Sequence, residues 1–234
     1  MSKVVVISSD AMVGEDLNYY KTLPSYQKYF QGGAEITNVS SIYPTVTFPA
    51  HATMMTGMYP DRHGIFSNMQ LIPEADPTPW QWDSSFLTCS DIFHAAKAAG
   101  KTTAAVFWPV TAGNPAIDYH IADYWAQGME DTTEKAFARA GASTEVLEIV
   151  KKHKHVFEGV EREHPQRDAF GMACAADMIR RFRPDLLLVH PANLDAARHD
   201  AGVFGPHIDR ALEDLDRWIG WIGSALEEAG ILEE

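Results

Sequence analysis

An α/β fold with a mostly parallel central sheet and helices on both faces is predicted by three observations. Short β-branched runs alternate with longer segments of helical periodicity, the pattern of repeated strand and helix units. Two runs, Thr102 to Trp108 and Asp185 to His190, are nearly continuous in apolar residues, as strands buried on both faces are. A helical segment ending in Gly100 leads straight into the strand that begins at Thr102. The chain has 234 residues, 46% of them hydrophobic, enough for one core of ordinary size, so residues 1–234 are expected to form a single domain.

The elements follow in order. Lys3 to Ser9 reads as the first strand, because Val4-Val5-Val6-Ile7 is short, β-branched and closed by Asp10. Glu35 to Ser40 reads as the second. Pro49 suits the first position of a helix and places Thr47 just before that helix's N-terminus. A helix from Ser85 to Ala99 precedes the strand at Thr102, and another from Phe170 to Phe182 precedes the strand at Asp185. From His207 to Ala229 the apolar residues Ile208, Leu212, Leu215, Ile219, Ile222 and Leu226 recur at spacings of three and four, one buried stripe, and Gly230 stops the helix. Gln70 to Trp82 and the stretch from about 113 to 166 are rich in Pro, Trp and His with weak periodicity, and read as an insertion over a binding cleft. Gly230-Ile231-Leu232 resembles the approach to a further buried strand, so the chain is expected to be the N-terminal part of a longer domain.

Composition narrows the function. The chain carries 19 basic and 32 acidic side chains, a net charge of −13, which argues against polymeric nucleic acid as a partner. A small anionic substrate remains compatible where bound metal ions dominate the local field. No apolar segment approaches the roughly 20 residues of a membrane span, and the N-terminal run is too short for a signal peptide, so no membrane partner is expected. Cys89 and Cys174 belong to no metal-binding spacing and read as two reduced thiols of a cytoplasmic protein. An exposed sheet edge is where a second copy would pair, which keeps a homo-oligomer among the expectations.

Asp10 follows an apolar strand directly, at the strand end where open α/β sheets place ligands, although a turn-capping role is the commoner use of such an aspartate. A threonine hydroxyl ahead of a helix N-terminus lies where free N–H groups favour an anion, yet needs a metal ion or base to attack. The segment from Tyr43-Pro-Thr-Val-Thr-Phe-Pro to Thr56-Gly-Met-Tyr-Pro and His63-Gly-Ile65 resembles the type I phosphodiesterase/nucleotide pyrophosphatase family of the alkaline phosphatase superfamily. Phe107-Trp108-Pro109 extends the resemblance along the chain.

The resemblance implies an alkaline-phosphatase-like fold, Thr47 as nucleophile and metal ligand, and Asn68 as donor to a phosphoryl oxygen. It also implies Asp10 as a metal ligand, and Asp195 and His199, just past the strand at Asp185 to His190, as ligands to one ion. His51 and His63 read as packing or hydrogen-bonding residues, and Thr45 as a neighbour that does not attack. Two divalent ions are implied for the complete enzyme, with Zn²⁺ the first choice and Mn²⁺ the second, since carboxylate and imidazole suit both. The implied activity is hydrolysis of a small phosphodiester or nucleotide substrate through a phosphothreonine. Further ligands, an Asp-His pair and a later His, lie in the family beyond the equivalent of Glu234, so this chain alone is expected to bind one ion weakly or none and to be inactive. A shortened homologue serving as a non-catalytic binding module is the contrasting reading, and phosphonoacetate hydrolase shares the frame. Two departures stand out: Ala11 and Arg198 occupy positions where the family usually has glycine.

Overall fold

The structure is a computed structural model and describes residues 3–74, 78–128 and 130–233. In chain order its elements are β1 (Val4–Ile7), α1 (Leu17–Tyr20), α2 (Pro24–Tyr29), α3 (Thr47–Thr56), α4 (Pro60–His63), α5 (Ile92–Ala98), β2 (Thr103–Val106) and β3 (Tyr119–Ile121). They continue with α6 (Thr133–Arg139), α7 (Thr144–His153), α8 (Gln166–Phe182), β4 (Leu186–Val189), α9 (Asn193–Ala201) and α10 (Pro206–Ala229). Two compact units result, one built from Met1–Val39 with Glu148–Glu234, the other from Ser40–Leu147.

In the first unit β1 pairs in parallel with β4, from Val4 opposite Leu186 to Ile7 opposite Val189. All four β4 residues are buried, which is why that run carries no polar alternation. The α10 stripe buries Ile208, Leu212, Leu215 and Ile219 against Tyr20 and Leu194, each such side chain contributing about 1.5–3 kcal/mol. Asp216 of α10 is itself buried and accepts the N–H groups of Ser25 (2.9 Å) and Tyr26 (2.8 Å), capping α2 from outside its own helix. Gly223 lets α2 come this close: a Cβ there would lie 2.2 Å from the Tyr29 ring.

In the second unit β2 pairs in parallel with β3, Ala104 opposite Tyr119 and Val106 opposite Ile121. Phe48 and Ala52 of α3 form a core with Ile65 and Val110, walled by Trp80, Trp82, Phe86 and Leu87. The α/β class with parallel strand pairing is therefore the one the sequence predicts.

Four expectations are corrected. Glu35 to Ser40 forms no strand, and its apolar members Ile36 and Val39 are 80% and 75% exposed: the β-branched residues are there, but nothing covers them. The helix expected over Ser85 to Ala99 is cut to Ile92–Ala98, because Asp91 accepts the His94 N–H (2.9 Å) and starts the helix there. Thr47 is the first residue of its helix and not the residue before it, with Val46 at the cap position. Tyr119–Ile121 forms a strand within a stretch read as an irregular insertion.

Candidate active site

The strongest sequence signal lies in the second unit. Thr47 heads α3, and the N–H of the next residue, Phe48, donates to Asn68 Oδ1 at 2.8 Å. Asn68 is thereby held at the start of the Thr47 helix with its amide oxygen engaged, which leaves the NH₂ as its donor end. Thr45 gives its hydroxyl to the Ile42 carbonyl (2.7 Å) and so is committed to the backbone. His51 Nδ1 lies 2.8 Å from the Thr47 carbonyl, and its ring meets Trp108 edge-on at 5.0 Å. His63, fully buried, accepts the Ile65 N–H on Nδ1 (3.1 Å) and faces Thr53 Oγ1 from Nε2 (2.9 Å). Burial holds its pKa below the usual value. Both histidines pack and hydrogen-bond, as their isolation in the sequence suggests.

After β2 the backbone turns sharply. Phe107 and Val110 adopt positive φ (55° and 59°), a costly conformation for residues with side chains. The turn buries Trp108 and brings Thr111 to donate to the Trp108 carbonyl (2.6 Å). The Thr111 oxygen can then only accept from His120 Nε2 (3.0 Å), which fixes the His120 tautomer. Burial pushes the His120 pKa down to about 3. Close by, Trp80, Trp82, Phe86, Tyr124 and Arg139 line a cavity of about 330 Å³, with the Arg139 guanidinium 5.4 Å from the Tyr124 ring centre.

The remaining residues lie in the first unit. Asp10 follows β1, its N–H donating to the Pro191 carbonyl (3.0 Å), and its Oδ1 accepts the Ala11 N–H (3.0 Å). Its Oδ2 is 3.3 Å from His190 Nε2 at the end of β4. Asp195 and His199 stand one turn apart on α9, with a carboxylate-to-imidazole distance of 3.5 Å. The His199 side chain is 78% exposed. The Asp195 pKa is raised, first by burial and then by the negative charge of Asp10. Buried Asp168 accepts the Ala192 N–H (2.7 Å) just before α9 and contacts His164 through its other oxygen.

The donor chemistry of Asp10, Asp195 and His199 suits a divalent cation, and a cation would relieve the repulsion between the two carboxylates. The arrangement is less complete than the chemistry. Among the described residues no group of three or more His, Cys, Asp or Glu side chains is disposed to hold a metal ion. Sequence reasoning missed His190, His164 and Asp168, which gather around the carboxylates only through the β1–β4 register and the α8–β4 turn. A histidine closing an apolar strand, as His190 does, was the one available signal.

The profile of the type I phosphodiesterase / nucleotide pyrophosphatase family matches residues 4–234. An uncharacterized pyrophosphatase/phosphodiesterase of Schizosaccharomyces pombe is 24% identical over 98% of this chain and 42% of its own length. Ectonucleotide pyrophosphatase/phosphodiesterase family member 3 of Mus musculus is 29% identical over 97% of this chain and 23% of its own. Among solved structures, murine ectonucleotide pyrophosphatase/phosphodiesterase 5 superposes with a TM-score of 0.66 at 21% identity, covering 99% of this chain and 54% of that one. An inactive threonine-to-alanine variant of that murine protein, in complex with AMP, matches at a TM-score of 0.66 and 20% identity, over 99% of this chain and 54% of that one. Phosphonoacetate hydrolase of Sinorhizobium meliloti 1021, in complex with phosphonoacetate, gives 0.67 at 19% identity over 96% of this chain and 54% of that one. At these identities the structural likeness concerns the fold. This chain spans less than half the length of these two curated relatives and about half of each solved chain.

Proposed function

The chain belongs to the type I phosphodiesterase/nucleotide pyrophosphatase family, and on that premise we propose that it supplies the nucleophile of a metal-dependent hydrolase of phosphodiester or pyrophosphate bonds. The observation that carries the reading is the pairing of Thr47 with Asn68 through the Phe48 N–H. A hydroxyl at a helix start and a fixed amide donor beside it are what a phosphoryl group needs: an attacking oxygen and a partner for the charge that develops.

Thr47 Oγ1 attacks phosphorus, forming a phosphothreonine as the bond to the leaving oxygen breaks. Water then cleaves the threonine–phosphate bond and restores the hydroxyl. The Asn68 NH₂ donates to a non-bridging oxygen in both steps. A divalent ion, Zn²⁺ first and Mn²⁺ next, would supply Lewis-acid stabilisation of phosphoryl oxygens when bound. Asp10, Asp195 and His199 are the residues that would hold it. The aromatic cavity beside Trp82 and Tyr124 stacks a nucleobase, which favours a nucleotide over a compact phosphonate. The AMP complex of the inactive murine variant supports both the threonine and the nucleotide.

The test is hydrolysis of bis-p-nitrophenyl phosphate and p-nitrophenyl phosphate with Zn²⁺ or Mn²⁺ by the protein expressed from its natural reading frame. Diester hydrolysis is expected, and Thr47→Ala is expected to lower it on the order of 10³-fold or more, as loss of a nucleophile does. No diester hydrolysis with either metal, or full activity in the variant, would overturn the reading.

A further inference from the structure

We propose that Arg198 is a positioning residue whose guanidinium ties the turn bearing Asp10 to the helix bearing Asp195 and His199, and so sets the spacing of the two carboxylates. The inference rests on the reading of those residues as a cation site. It begins with the use made of each nitrogen. Arg198 Nε donates to the Ala11 carbonyl (3.0 Å), Nη2 to Asp16 Oδ2 (2.5 Å), and Nη1 to the Val203 carbonyl. Both partners of the ion pair are secluded, with 9% of the Arg198 side chain and 3% of the Asp16 side chain exposed. The same Asp16 oxygen accepts the Val13 N–H (2.9 Å), so the grip covers the whole turn from Ala11 to Asp16.

That turn contains one strained residue. Ala11 sits at φ 57°, in the left-handed region that glycine adopts without penalty and alanine does not. Its carbonyl is the one Arg198 holds, and its N–H is the one that orients the Asp10 carboxylate (3.0 Å). From the guanidinium to Asp10 is therefore one peptide, and from Arg198 to Asp195 and His199 is less than one turn of α9. The two positions that depart from the family's glycines are physically one feature, since the arginine holds the strained alanine in place. Lysine cannot replace the arrangement, because three separate nitrogens of a planar fork serve three acceptors in different directions.

The experiment compares the parent, expressed from its natural reading frame, with Arg198→Lys and with Asp216→Asn. The lysine variant keeps a cation beside Asp16 and so preserves folding, while Asp216→Asn weakens an equivalent buried cap in the same unit but away from the carboxylates. Zn²⁺ and Mn²⁺ affinity is read by calorimetry, and turn order by amide hydrogen exchange. Expected for Arg198→Lys is at least tenfold weaker Zn²⁺ binding and at least tenfold faster exchange at Val13 and Asp16, with α8 and α10 unchanged. Asp216→Asn is expected to lower the thermal midpoint and leave Zn²⁺ affinity as in the parent. Parental affinity in Arg198→Lys, whether or not the turn exchanges faster, would overturn the positioning role. Equal losses of affinity in both variants would overturn it too, as a general effect of destabilisation. A parent that binds neither metal would instead refute the cation site on which the inference stands, an outcome visible before any variant is made.

Discussion

The two units hold their candidate functional residues by different physical means. Around Thr47 the contacts are neutral: a backbone N–H on Asn68, a histidine on the Thr47 carbonyl, and a second histidine kept uncharged by burial. Around Asp195 they are ionic, with burial first and a second carboxylate next raising its pKa, and imidazoles nearby. A neutral, packed setting holds its geometry without a ligand. A setting of like charges stores repulsion that a bound cation would release.

The comparison can be broken most sharply at Asn68. Asn68→Asp keeps an oxygen for the Phe48 N–H and loses the NH₂, so kcat for the diester is expected to fall about 10²–10³-fold. Folding stability should change by no more than about 0.5 kcal/mol. Retained kcat would reduce Asn68 to a loop support. In the ionic setting, Asp195→Asn should weaken Zn²⁺ binding by more than the roughly 10–100-fold that loss of a supporting residue costs, measured by calorimetry. Unchanged affinity would remove Asp195 from the site.

A third test concerns the limits of neutrality in the Thr47 unit. His120 is held at a pKa of about 3 against an ordinary 6.5, so the unfolded chain takes up its proton first as the solution is acidified. Its contribution to stability is complete above pH 6.5 and is lost as the pH falls toward 3, at about 1.4 kcal/mol per pH unit for one proton. His120→Gln, which preserves a donor to Thr111, should flatten the fall in thermal midpoint over that range. An unaltered slope would assign the acid sensitivity to other groups.

Much of this was legible in the residues themselves. The strand cores at Val4–Ile7, Thr103–Val106 and Leu186–Val189 and the α10 stripe are local patterns, and local patterns survive folding when a partner surface exists for them. Ile36 and Val39 show the converse, a strand pattern with no partner. Thr47, Asn68, Asp10, Asp195 and His199 were proposed from the family resemblance. The roles of the groups that hold them were not.

The sequence by itself determined the fold class, the family and the identity of the candidate nucleophile, because each rests on residues close together in the chain. Tertiary structure alone decided that Asn68 reaches the Phe48 N–H across 20 residues, and that Arg198 reaches Ala11 across 187. It also decided that Asp195 feels the charge of Asp10. Hydrogen bonds and charges act through space, over a few ångströms, and only the folded chain says which distant residues come that near.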